Sequence, residues 1–80
     1  MEDLKEILRK ILGHIEFESE MALLTDGKID SVDLVELVVA IEEKFQIEIP
    51  LEDIVPGNFD SLQGIWDMVK NLSRKKNQNV

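Results

Sequence analysis

Two serines in this chain stand where a hydroxyl at the start of a helix can meet an anion. Each follows an aspartate and precedes an aliphatic residue, as Asp30-Ser31-Val32 and Asp60-Ser61-Leu62. Serine and aspartate in such positions are first of all helix caps, whose side-chain oxygens accept from backbone N–H groups of the first turn. The same unpaired N–H groups and the positive end of the helix dipole also favour a phosphate or carboxylate beside them. The tripeptide alone does not separate the two copies. Nor does the chain hold a partner to activate either hydroxyl. Its one histidine, His14, reads as a solvated residue near the end of the first helix, and there is no cysteine, so no Ser–His or Cys–His pair is available. Asp26-Gly27-Lys28-Ile29-Asp30 has the look of the middle of a calcium loop. Setting Gly27 on the required glycine, however, puts Ala22 and Leu24 where the first carboxylates belong and Asp33 where a bidentate Glu should stand. No metal site is expected.

The elements that must hold these serines follow from apolar spacing. Leu4, Ile7, Leu8, Ile11, Leu12 and Ile15 mark one face of a helix over residues 2–15, with Gly13 weakening its last turn. Periodicity then fails from Phe17 to Asp30, a long loop in which Met21, Leu23 and Leu24 are expected to pack inward. Asp30 caps the second helix, whose core face is Leu34, Leu37, Val38, Ile41 and Phe45. Val32, Val35 and Val39 form a second apolar stripe beside it, with Asp33, Glu36, Glu42 and Glu43 around them. Ile47-Glu48-Ile49 reads as extended, and Leu51 to Val55 as one short helical turn before Pro56-Gly57-Asn58. Asp60 and Gln63 have capping-box spacing at the start of a last helix buried through Leu62, Ile65, Val69 and Leu72. The expectation is an all-α four-helix bundle, three longer helices and one short one, over residues 1–72, with 73–80 a flexible polar and basic tail.

Composition narrows the partners. Eighty residues make one domain, and the net charge is −8, from 9 basic and 17 acidic residues. Between Glu16 and Asp60 only Lys28 and Lys44 oppose a long run of carboxylates. Such a field repels a phosphate backbone, so nucleic acid is a poor partner, and enzymes with basic surfaces are good ones. The longest wholly apolar stretch is Leu37 to Ile41, too short to span a membrane, and the acidic start Met1-Glu2-Asp3-Leu4 is unlike a secretory signal. A cytoplasmic monomer is expected.

The stretch from Gly27 to Pro50, GKIDSVDLVELVVAIEEKFQIEIP, resembles the signature of the acyl carrier protein family. There a serine in an Asp-Ser-Leu motif opens the second helix, followed by an acidic residue, an aliphatic pair, Glu-Glu, a phenylalanine and an Ile-Pro exit. The resemblance implies that Ser31, flanked by Asp30, receives 4′-phosphopantetheine from coenzyme A through a separate phosphopantetheinyl transferase, and that the chain itself catalyses nothing. A phosphodiester at that helix start would gain about 0.3–1 kcal/mol from the dipole field. It further implies that Val32, Asp33, Val35, Glu36, Val39, Glu42 and Glu43 meet partner enzymes. Leu37, Ile41, Ile54, Leu62 and Ile65 would line an acyl cleft if one opens. Val32 in place of leucine, Lys28 near the attachment serine, an apolar segment after Pro50, Trp66 and the basic tail depart from the housekeeping fatty-acid carriers. The chain is at least as similar to carriers of specialised, polyketide-like pathways, and to aminoacyl, D-alanyl or peptidyl carriers. A helical adaptor that is never modified is the reading from another class.

Overall fold

A computed structural model of the chain describes residues 1–13 and 15–78, with side chains as far as Lys75; His14 lies outside the described residues. The first helix, α1 (Glu2–Leu12), carries Glu2 and Asp3 in its first turn and Arg9 and Lys10 in its last, the order its dipole favours. Leu4, Leu8 and Leu12, four apart, are fully buried, and Ile7 and Ile11 pack half-buried beside them. The helix stops at Leu12, short of the predicted Ile15, because Gly13 has little helix propensity and caps the end. A tight turn, Ile15 N–H to the Leu12 carbonyl at 3.0 Å, still brings Ile15 onto the core.

Two of the three residues expected to hold the long loop down, Leu23 and Leu24, do so, and Phe17 and Ile29 join them. Phe17, Leu23 and Ile29 are buried and Leu24 half-buried, whereas Met21 is 74% exposed. The Leu23 carbonyl accepts from both Lys28 N–H (2.9 Å) and Ile29 N–H (3.1 Å), and Gly27 turns the chain at φ +74°, a conformation that favours glycine.

Helix α2 (Ser31–Phe45) is capped as predicted: the Asp30 carboxylate accepts from Asp33 N–H at 2.8 Å. Leu37 and Ile41 are fully buried, with Leu34, Val38 and Phe45 half-buried around them. It ends at Gln46, a left-handed residue at φ 56°, whose N–H returns to the Glu42 carbonyl and whose side-chain amide donates to the Glu43 carbonyl. Ile47 and Ile49 then alternate inward about exposed Glu48, as the extended reading required. The Glu42 carboxylate accepts from Ile49 N–H at 2.8 Å and so staples this exit to the helix.

The short turn expected over Leu51 to Val55 is a 3-10 turn (Leu51–Asp53), and a further short helix begins at Pro56. Helix α3 (Pro56–Phe59) has proline at its first position, where no N–H is needed. It is one turn long and fully buries Phe59. The Asn58 amide donates to the Asp53 carbonyl at 2.7 Å, locking the two short turns together.

Helix α4 (Leu62–Gln78) buries Leu62, Ile65, Met68, Val69 and Leu72. Gly64 inside it faces α3 so closely that a Cβ there would lie 3.3 Å from the carbonyl oxygens of Gly57 and Asn58. Trp66 packs half-buried, edge-on to Phe45 at 6.1 Å, with the Lys70 ammonium 5.9 Å from its ring centre. The helix continues past Leu72 to Gln78, where the sequence suggested a frayed tail. Arg and Lys are good helix formers, and their charge suits the negative end of the dipole, so the helix runs on past Leu72, the last buried residue among those described. The architecture is all-α, three longer helices and one short one around a single core, with no strand among the described residues.

Candidate functional site

The two Asp-Ser-apolar tripeptides fold into different devices. In the first, Asp30 is the cap and Ser31 falls one place later, as the first residue of α2. With the aspartate satisfying the helix end, the Ser31 hydroxyl is exposed and makes no hydrogen bond within the chain. In the second, Ser61 is itself the cap of α4: its Oγ accepts from Gly64 N–H at 3.0 Å, and it is half-buried against the α3–α4 contact. The predicted Asp60–Gln63 capping box does not form. Gln63 instead reaches along the helix to Asp67 at 2.9 Å, and Asp60 turns away to the loop before α2.

Asp60 is the residue whose role the sequence concealed. One carboxylate oxygen accepts from Leu24 N–H (3.0 Å) and Thr25 N–H (2.8 Å), and the other accepts from the Thr25 hydroxyl (2.7 Å). Its backbone carbonyl accepts from Leu23 N–H at 2.9 Å. The bond from the Thr25 hydroxyl, followed by that from the Thr25 amide, holds the Asp60 carboxyl below its ordinary value; lost solvation opposes them, and the Leu24 amide adds the smallest lowering. A carboxylate with a lowered pKa stabilises the fold fully above its unfolded value, about 3.9, and loses that contribution as pH falls through the lower folded value. Asp60→Asn, which lacks the charge, is therefore expected to melt below the parent at neutral pH. The gap should close as pH drops into the acid range below about 3.9, read by thermal melts across a pH series. A gap that stays constant to the acid limit would contradict the assignment.

The flank of α2 beside Ser31 is apolar and open. Val32, Val35 and Val39 are 63%, 61% and 48% exposed, and Ser31, Val32, Val35 and Glu36 bound a shallow apolar depression. Glu36 and Glu43 are exposed on the same face, and Asp33 lies half-buried at its edge. Glu42 is already engaged with Ile49 N–H, which sets it apart from the free carboxylates. Lys28 does not aim a lone charge at Ser31 either, since its ammonium pairs with Glu20 at 3.5 Å. Leu37, Ile41 and Ile65 are fully buried, Leu62 nearly so and Ile54 half-buried, all in the one core.

An exposed, unbonded hydroxyl at the positive end of a helix can take up a phosphodiester without breaking any contact of the fold. No histidine or cysteine lies beside it among the described residues. Among the described residues no group of three or more His, Cys, Asp or Glu is placed to hold a metal ion. Also among them, no helix is long and apolar enough to cross a membrane.

Comparison with known proteins agrees with that geometry. Residues 2–68 match the profile of a family described as "Phosphopantetheine attachment site". The chain is 42% identical over 69 residues to an acyl carrier protein of Buchnera aphidicola subsp. Baizongia pistaciae, covering 84% of this chain and 86% of the relative. It is 40% identical over 75 residues to that of Buchnera aphidicola subsp. Schizaphis graminum (90% and 91% covered). With the acyl carrier protein of Wolinella succinogenes it shares 35% over 77 residues (94% and 95%). No solved structure matches significantly.

Proposed function

This chain belongs to the acyl carrier protein family, non-catalytic carriers with phosphopantetheine as prosthetic group, and from that premise we propose that Ser31 is the residue that bears the arm. The observation that carries the assignment is the contrast between the two serines: the Ser31 hydroxyl is exposed and free, whereas the Ser61 hydroxyl is bound to Gly64 N–H. Asp30 closes the helix end, so Ser31 is left to a foreign active site. When bound, the arm supplies a terminal thiol on which cargo travels as a thioester. The protein's own part is to present Ser31 on a rigid helix and to be recognised. Tethering replaces free diffusion of cargo by delivery at an effective concentration of about mM in a docked complex.

The same reading gives α2 its partners: a phosphopantetheinyl transferase, then acyl-activating, acyl-transfer and condensing enzymes with basic surfaces. Val32, Val35 and Val39 form the apolar centre of that contact, with Asp33, Glu36 and Glu43 as its charged rim. Glu42 borders the rim while holding Ile49. Rim charges act mainly on encounter rate and the apolar centre on release, which suits a carrier that must leave each enzyme. The double reversal Glu36→Lys with Glu43→Lys is expected to slow arm transfer about tenfold at low ionic strength, less at high salt, with the circular dichroism spectrum unchanged. Unaltered transfer kinetics would remove this face from recognition. The carrier unit we assign to residues 1–72, with 73–80 as a basic extension, acting as a cytoplasmic monomer. The cargo we assign to fatty acid or polyketide-like synthesis; charging of the loaded carrier by an amino-acid-adenylating enzyme instead would move it to the aminoacyl carriers.

The deciding experiment is direct. The protein is incubated with coenzyme A, magnesium and a broad-specificity phosphopantetheinyl transferase, and its intact mass and proteolytic fragments are recorded. One arm is expected, on the fragment holding Ser31. A mass that stays at that of the apo chain, while a control carrier is loaded, returns the protein to the unmodified-adaptor reading.

A further inference from the structure

Asp60 lies at the α3–α4 corner, yet its bonds run to the loop that delivers Ser31. Its carboxylate binds Leu24 N–H, Thr25 N–H and the Thr25 hydroxyl, and its carbonyl binds Leu23 N–H. The Leu23 carbonyl in turn accepts from Lys28 and Ile29 N–H, at 2.9 and 3.1 Å. Ile29 is buried, 2% exposed, and anchors the chain directly before Asp30. Asp30 then caps α2 through Asp33 N–H, and its carbonyl accepts from Leu34 N–H at 2.9 Å. The result is a relay of hydrogen bonds of 2.7–3.1 Å, joined through the backbone of Leu23, Ile29 and Asp30, from the start of α4 to the start of α2. Apart from the side-chain groups of Asp60, Thr25 and Asp30, it runs through backbone, so few side chains control it. Among the described residues no other hydrogen bond ties the loop to the α3–α4 corner.

We propose that Asp60 and Thr25 are positioning residues for arm attachment at Ser31: they hold the loop, through Leu23 and Ile29, so that the α2 start stays formed with the Ser31 hydroxyl outward. This rests on Ser31 being the acceptor. The two residues touch neither the arm nor the α2 docking face, so their loss acts on presentation and not on docking. A transferase that docks on the valine stripe meets the same surface in every variant, and only the fraction of docked complexes with Ser31 in place changes. An effect on kcat at nearly constant KM is the signature that follows.

The test uses the full chain with a phosphopantetheinyl transferase and coenzyme A. Asp60→Ala removes three bonds and Thr25→Val one, the latter a milder change should the former fold poorly. Asp60→Asn is the conservative control: its amide oxygen still accepts from both N–H groups and its NH2 donates to the Thr25 hydroxyl. In Asp60→Ala we expect kcat to fall about tenfold, short of the roughly hundredfold a 1 Å misplacement can cost, with KM within about twofold. Thr25→Val should fall between it and the parent, and Asp60→Asn should return to within about twofold of the parent. Amide hydrogen exchange on the unmodified proteins should quicken at Lys28 and Ile29 in Asp60→Ala and stay unchanged at Leu37 to Ile41. A parent chain that takes up no arm overturns the reading of Ser31 beneath the proposal. A parent that is loaded while Asp60→Ala matches its kcat, or loses rate only in proportion to its unfolded fraction, overturns the proposal alone. So does a rise in KM at constant kcat.

Discussion

Ser31→Ala takes up no phosphopantetheine under conditions that load the parent to completion, and it keeps the parent's melting temperature. Both halves of this expected result come from one geometry. The hydroxyl is the only atom group lost, and it makes no bond within the chain and lies in solvent. Alanine is also the better helix former at the first position of α2. The stability change should therefore stay within about ±0.5 kcal/mol, the range of surface substitutions that disturb no structural feature. Ser61→Ala inverts the pattern. It removes the cap that binds Gly64 N–H, costing about 1 kcal/mol. In a domain this small that is a fall of about 4–8 °C in melting temperature. Loading, however, continues. Intact mass after transferase treatment and a thermal melt of each variant read both axes at once. An arm found on Ser31→Ala, or lost only in Ser61→Ala, would reverse the assignment of the two serines.

The largest expected loss of stability lies far from Ser31 in sequence, at Phe59. This ring is fully buried, yet it belongs to a helix of four residues that has no stability of its own. Helix α3 is held chiefly by the burial of this ring and by the close approach of Gly64 to its carbonyls. Phe59→Ala removes most of the apolar area that fastens it, at about 3–5 kcal/mol. A domain of this length has a total stability of only about 4–12 kcal/mol, by the usual 0.05–0.15 kcal/mol per residue. The variant should consequently be largely unfolded, or melt at much reduced urea concentration, with arm transfer falling in step with the folded fraction. Phe59→Leu, which keeps an apolar side chain in place, should be milder. A urea midpoint for Phe59→Ala close to the parent's would show that α3 is fastened by something else.

These two positions show different kinds of legibility. Helix α2 could be read from sequence in nearly every respect: its cap at Asp30, its core positions Leu37 and Ile41, and its exit through Ile47 and Ile49. Each depends on residues within about one or two turns of one another, and local spacing is what periodicity and capping preferences record. The burial of Leu4, Leu8 and Leu12 was equally plain. Where local signals compete, the structure differs from the sequence expectation. Spacing puts the short helical turn at Leu51 to Val55, whereas the short α-helix starts at Pro56, and the basic residues after Leu72 read as a tail but continue α4.

Tertiary contact decided the rest. Two tripeptides of the same type became an open serine and a bound one because Asp60, 35 residues from Thr25, found its partners in the long loop and left the cap of α4 to Ser61. Glu42, one of an acidic row by sequence, is set apart by Ile49 N–H, and among the described residues nothing buries the valine stripe. A helix's caps and faces are encoded within a few residues of where they act. Which of two equal side chains stays free is settled by which distant N–H groups folding brings near, and that cannot be read from either chain segment alone.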